Sequence, residues 1–305
     1  MELAEYYANE LAFLKDAAQA FARRHPDNAA RLLQHGDDPD VERLIEGVAF
    51  LTAGMRARID QAGAQIAHGL AELLLPQFLR SLPAATIVEF VPNTKALRTR
   101  QQVPRGRPLV ARERKGTVCR FRTCFDVDLA PLAVRDAVLE HPTGQRPRVR
   151  LQLELGDPCR TILAGPHPLR FYIHHSDPGL PATLLLWLTR HLECVTLQAG
   201  AGPVVTLPPD AVASLSAPAS AVYPWPDTAP SGYRSVLELF SLHEKFCFFE
   251  LTGLHRAALT DHALTIGFEL DSPPPLAAAI GPDTFRLHCT PAINLFEAPG
   301  EPITW

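Results

Sequence analysis

Few residues in this chain have the type and spacing that chemistry needs. His174 and His175, followed by Asp177, carry the donor types of a zinc site. A catalytic zinc takes three protein ligands and leaves one position for water, so partners would have to come from elsewhere. Adjacent residues of a strand also point to opposite faces, which makes a shared chelate awkward. These histidines fit the edge or turn of a strand better than a metal centre. Cys119 and Cys124 stand five apart in a segment with strand character, so their side chains diverge for the same reason. His243-Glu244 lacks the second histidine that a zinc-protease helix places close behind, and His255 is too distant to supply it. The glycine-rich Gly200-Ala201-Gly202-Pro203 lacks a third glycine and a following helix, and reads as a turn. No phosphate loop or nucleophile elbow is present.

A second constellation is electrostatic. Between Arg98 and Arg122 lie nine basic residues, including Arg105, Arg107, Arg112 and Arg114, against the single acid Glu113. With a net charge of -4 for the whole chain, this local excess of eight leaves about -12 for the remainder. A nucleic-acid site would interleave aromatic rings for base stacking. Here only Phe121 is aromatic, and its alternation with Arg120 and Arg122 turns it inward. Pro104, Pro108, Gly106 and Gly116 predict loops around it. A solvated basic face is the first reading, docking of an acidic protein partner the second, and nucleic acid the third. The Tyr223-Pro224-Trp225-Pro226 run resembles a polyproline ligand, but rings that fill the edge of the chain's own core are favoured.

The composition fits an ordinary folded protein, with 47% apolar and 20% charged residues among 305. Such a chain is long enough for two or three domains and a sizeable core. The 29 prolines divide it into short apolar segments, as in a protein of many strands joined by turns. No stretch approaches the roughly 18 apolar residues of a membrane span. The acidic, amphipathic start MELAEYYANELAFLKD is not a secretory signal. Six scattered cysteines without such a signal read as reduced thiols.

Period decides the elements. Leu3, Tyr7, Leu11, Leu14, Ala18 and Phe21 recur at three and four, which predicts one helix ending before Pro26. Asp38-Pro39 signals a second start, and Val41, Leu44, Val48, Leu51, Met55 and Ile59 keep one face. Ile66, Leu70, Leu73 and Leu74 predict a third helix before Pro76, weakened by Gly63 and Gly69. Beyond it the period falls to two. Strands are expected at 86–91, 117–125 and 148–155, around Leu169, Phe171 and Ile173, and around Leu264, Ile266, Phe268 and Leu270. Two short helices interrupt near 182–192 and 234–241. The expected fold is α+β: a helical, bundle-forming region over 1–83 and a mainly antiparallel β-rich region over 84–305, with room for two subdomains.

Several of these segments, taken in order, resemble the TssF family, the baseplate subunit of bacterial type VI secretion systems. The similarity includes Tyr6-Tyr7 with Glu10-Leu11-Ala12-Phe13-Leu14, Asp38-Pro39-Asp40-Val41-Glu42-Arg43-Leu44-Ile45-Glu46-Gly47, and Leu74-Leu75-Pro76-Gln77-Phe78-Leu79. It continues through Cys119-Arg120-Phe121-Arg122-Thr123-Cys124-Phe125, Leu169-Arg170-Phe171-Tyr172-Ile173, and Glu244-Lys245-Phe246. It reaches Phe285-Arg286-Leu287-His288-Cys289-Thr290-Pro291-Ala292-Ile293-Asn294-Leu295-Phe296. Two departures accompany it. Family members usually continue beyond this length, so the chain is expected to be an N-terminal portion or a shortened member. The segment 59–65 lacks the acidic, proline-containing run of the family.

The resemblance implies a structural, non-enzymatic wedge component that helps assemble the platform for a contractile sheath and tube, similar to wedge proteins of phage tails. It implies TssG-like and TssK-like wedge subunits, a second TssF copy, and TssE-like and sheath components as partners. It implies no cofactor, no metal, no nucleic acid and no membrane insertion. The implied location is cytoplasmic, at the inner face of the cell envelope. Tyr7, Leu11, Leu14, Phe21, Leu44 and Leu51 on the helical stripes, and Arg105, Arg107, Arg112 and Arg114 in the basic stretch, are the candidate partner contacts. The competing readings are a metal-dependent hydrolase using the His174/His175 region and a nucleic-acid module using the basic stretch.

Overall fold

The computed structural model describes residues 3–25, 39–93, 97, 99–112, 116–156, 165–215, 221–227, 229–257, 259, 261–297 and 300. Contacts divide the chain into two units, Met1–Ser81 and Leu82–Trp305.

The first unit is helical. Helix α1 spans Leu3–Arg24, with Glu5 in its first turn and Arg23 and Arg24 in its last, charges that complement the helix dipole. Helix α2 spans Pro39–Leu74; Pro39 opens it, where a missing N–H costs nothing, and Asp40 and Glu42 follow. Asp38 and Pro26 lie outside the described residues. The separate second and third helices expected from the sequence are one continuous helix. Gly63 and Gly69 are interior positions that each cost up to about 1 kcal/mol relative to alanine, too little to break a helix without a proline. Pro76 begins a short helix α3, Pro76–Leu79.

Helices α1 and α2 run antiparallel. Tyr6 Oη donates to Asp60 Oδ2 at 2.9 Å, Arg56 pairs with Glu10 at 3.3 Å, and Lys15 reaches Glu42 at 3.9 Å. The row of α2 turned inward is Ile45, Ala49, Ala53 and Ala57, spaced by four. Apolar periodicity alone predicts the other face inward. Leu44, Val48, Leu51, Met55 and Ile59 are instead exposed. Periodicity identifies an apolar face but not what covers it.

The second unit is antiparallel throughout its described ladders. Its strands are β1 Ala85–Glu89, β2 Gln101–Val103, β3 Pro108–Arg112, β4 Val118–Thr123, β5 Val127–Leu129, β6 Leu132–Glu140, β7 Arg148–Leu155 and β8 Leu169–Ile173. They continue as β9 Leu192–Ala199, β10 Val205–Leu207, β11 Val212–Ser214, β12 Phe248–Leu251, β13 Ala263–Leu270, β14 Phe285–Leu287 and β15 Cys289–Ile293. One sheet has the order β10-β9-β13-β7-β6, a second β11-β12-β8-β14 and a third β1-β15-β4-β3, while β2 pairs with β5.

The first two sheets share a core. Val149, Leu151, Leu153 and Leu155 of β7 and Leu264, Ile266, Phe268 and Leu270 of β13 are buried, as their alternation predicts. Phe249 of β12 stacks on Phe171 of β8 at 5.1 Å and meets Phe268 edge-on at 6.0 Å, joining the sheets through aromatic contacts. Helix α4, Gly179–Arg190, adds Leu180, Leu184 and Leu188. Each such side chain, fully buried, stabilises by about 1.5–3 kcal/mol. Polar partners on β6 and β7 close the wet face: Arg148 and Arg150 hold the two oxygens of Glu140 at 2.7 and 2.5 Å. The hydrogen bond from Arg150, above all, lowers the Glu140 pKa.

The segment Phe285–Ile293 serves two sheets. His288 lies between β14 and β15 at φ +56, a left-handed conformation that histidine tolerates better than branched residues. The turn there passes the chain from one sheet to another.

Candidate functional site

The catalytic candidates are occupied with local structure. His175 Nδ1 accepts the backbone N–H of Asp177 at 3.0 Å, and Asp177 Oδ1 accepts the N–H of Gly179 as α4 begins. The backbone of His174 is tied to Thr284 at 2.8 Å, and partial burial lowers its pKa. Both histidines line an open cleft of about 550 Å³ with His243, Glu244 and Arg286, but no group of three or more His, Cys, Asp or Glu side chains converges among the described residues. His243 pairs with its neighbour Glu244 at 3.4 Å. The metal-dependent hydrolase reading thus gains no ligand set from this region.

The buried thiols are poor nucleophiles. Burial pushes Cys124 and Cys247 up to about 11 and Cys289 to about 12, which keeps them protonated. Cys119 and Cys194 are half-buried, and all five described cysteines are free. Cys159 lies outside the described residues. Of the aromatic-proline run, Tyr223 is buried in a small core of its own chain with Phe125, Val222, Leu242 and Ile293, while Pro224 is exposed and Trp225 and Pro226 are half-buried.

The sequence missed what holds that small core. Helix α5, Ser231–Ser241, turns Glu238 inward and leaves Tyr233, Val236, Leu239 and Phe240 exposed. Glu238 Oε1 accepts the backbone N–H groups of Val222 and Tyr223 at 2.8 and 3.0 Å, and Oε2 accepts from Lys245. Both charged groups are closed to solvent. A carboxylate within an otherwise apolar helical pattern, seven residues before a lysine, is the one signal that could have exposed it.

The basic stretch is more ordered than its prolines and glycines suggest. It contains β2 and β3, joined by a turn in which Gly106 takes φ +83 and donates to Thr123 O at 2.8 Å. Arg100 pairs with Asp128 at 2.6 Å, and Arg105 donates to Ala221 O at 3.2 Å. Arg107, Arg112 and Arg120 are exposed, and among the described residues neither these nor Arg122 meets a carboxylate. Arg120 lies over the Phe296 ring at 5.7 Å. Arg114 lies outside the described residues. Phe121 is half-buried, turned away from the arginine face as its alternation predicts.

The helical candidates separate into two groups. Tyr7, Leu11 and Leu14 are half-buried in the hairpin, whereas Phe21, Leu44 and Leu51 are exposed, the last two at 69% and 67%. The exposed row on α2 continues through Met55, Ile59, Ile66, Leu70 and Leu73. Fully buried apolar side chains on α1 and α2, among the described residues, are Ala22, Ala49 and Ala53 alone. With Tyr7, Leu11, Leu14 and Ile45 only half-buried beside these three methyl groups, the interior between two long helices is thin.

The family model described as "Type VI secretion system, TssF" matches residues 1–305. The chain is 33% identical over 332 aligned positions to the type VI secretion system component TssF1 of Pseudomonas aeruginosa, covering 96% of this chain and 51% of that protein. It superposes with a TM-score of 0.72 and 27% identity on a chain of the TssK-TssF-TssG baseplate subcomplex solved by cryo-electron microscopy, over 86% of this chain and 51% of that one. A chain of a type VI secretion baseplate complex matches with a TM-score of 0.52 and 28% identity, over 100% of this chain and 53% of that one. The chain spans about half the length of the relatives it matches.

Proposed function

Because the chain belongs to the type VI secretion system TssF family, we propose that it is a structural wedge component of the baseplate, acting through protein–protein contacts rather than catalysis. The observation that carries this reading is the exposed apolar row of α2 above an alanine-sized interior. A helical hairpin so built gains its stability when further helices cover the row, as in a shared bundle. The region 1–83 is the bundle-forming part, and 84–305 forms β-rich arms that dock neighbours. TssG-like and TssK-like subunits are the partners, by likeness to the TssK-TssF-TssG subcomplex. A second TssF copy, a TssE-like subunit and sheath components complete the neighbourhood. Assembly takes place in the cytoplasm at the inner face of the envelope; among the described residues no helix is long and apolar enough to cross a membrane.

Coexpression with TssG-type and TssK-type subunits tests the proposal. The chain is expected to elute with them as one complex through size-exclusion chromatography. Elution apart from both contradicts it.

A further inference from the structure

Strand β3 is the last strand of its sheet, with β4 on one side and no strand on the other among the described residues. Thr123 donates its N–H to Arg107 O at 3.1 Å. In an antiparallel ladder the bonded pairs alternate with unbonded ones. The opposed pairs Leu109–Phe121 and Ala111–Cys119 are therefore the bonded ones, and Pro108–Arg122, Val110–Arg120 and Arg112–Val118 are not. It follows that the N–H and C=O of Val110 and of Arg112 point to the free edge.

The side chains beside that edge are equally particular. Val110, Arg112, Arg120 and Arg122 share one face by parity, and Val110 is 66% exposed. Among the described residues, no carboxylate neutralises these three arginines. Proline and charge commonly protect a sheet edge from random pairing. Protection alone, however, calls for neither an exposed valine at the centre of the strand nor charges of one sign only.

From this we propose that the free edge of β3, flanked by Arg112, Arg120 and Arg122, takes an acidic extended segment of a partner subunit as a fifth strand. Main-chain bonds from Val110 and Arg112 give the strand its footing, and alternate Asp or Glu side chains over Val110 meet the guanidinium groups. A nucleic acid would use the charge but not the edge, and Phe121, half-buried on the opposite face, offers no free ring for stacking. This inference rests on the assembly role proposed above and names one contact within it.

Amide hydrogen exchange at Val110 and Arg112 tests it, measured in the free chain and in the complex with TssG-type and TssK-type subunits. Exchange is expected to slow by about tenfold or more in the complex. Val110→Pro removes an outward N–H and no ladder bond between β3 and β4, so it should weaken assembly about tenfold while leaving the thermal midpoint of the free chain in place. Arg112→Glu with Arg120→Glu should weaken assembly further, with reduced salt dependence. If the complex forms while both amides exchange as in the free chain, or if Val110→Pro assembles like the parent, the fifth strand is wrong and the assembly role stands. If an oligothymidine 20-mer alone slows both amides, the edge reads nucleic acid and the inference is overturned. If no complex forms, the assembly role fails and takes this contact with it.

Discussion

Glu238 and Lys245 form an ion pair sealed from solvent on both sides, seven residues apart and bridging α5 to the 3-10 turn His243–Cys247. Burying two charges is costly, and the pair is sustained by the two main-chain donors on Glu238. Removing either partner strands the other. Glu238→Gln and Lys245→Met are each expected to cost about 3–5 kcal/mol in urea unfolding of the chain. The amide oxygen introduced by Glu238→Gln would still accept the N–H groups of Val222 and Tyr223, so the double variant should lose clearly less than the sum of the two single losses. Additive losses contradict a coupled pair.

His288 makes stability depend on pH. Ala130 donates its N–H to His288 Nε2 at 3.4 Å, so that nitrogen must carry no proton. Burial lowers the pKa from 6.5 to about 4. The unfolded chain therefore takes up a proton between those values while the folded one does not. The stability is fully present above about pH 6.5 and falls as pH drops toward 4, by about 3 kcal/mol in total. Urea midpoints measured from pH 7 to 4 check this, and His288→Asn, which tolerates the left-handed backbone, should flatten the slope across that window.

Gly267 lies in the centre of β13, where an added Cβ would stand 2.4 Å from Thr196 Oγ1. Thr196 in turn donates to Gly267 O at 3.3 Å. Gly267→Val should lower stability by about 1–3 kcal/mol through overpacking. Adding Thr196→Ala should restore part of that loss in a thermal melt. No recovery would place the strain elsewhere.

Much of this was legible in the residues. The strict alternation of Val149 to Leu155 and of Leu264 to Leu270 marked strands with one dry face, because period two leaves no other placement for four apolar side chains. The short strands β2, β3 and β5 were not legible, since three to five residues among prolines and arginines carry too little period. Glu238 was hidden because a buried carboxylate looks like a solvent-facing one until its partners are known. Which residues of α2 face inward was not legible for a different reason. The leucine stripe carries the hydrophobic weight and marks Leu44 and Leu51, the expected partner contacts, whereas the side chains buried on α2 are the small Ala49 and Ala53. Leu44 and Leu51 face outward, and the proposal that another chain covers them is tested by binding to a partner subunit.

Exposure divides the helical candidates into two groups with different expected outcomes. Leu11 and Leu14 are half-buried between α1 and α2, so changing both to glutamate should reduce helicity of the free chain by circular dichroism. Leu44 and Leu51 are exposed, so the same change there should leave helicity unaltered.

The most direct measurement is the affinity of the Leu44→Glu/Leu51→Glu chain for a TssG-type subunit, beside that of the parent chain. Two carboxylates on the row should weaken binding at least about a hundredfold, since two desolvated leucine contacts contribute about 3 kcal/mol or more. Equal affinity of the two chains, with helicity intact in both, would contradict the shared helical bundle.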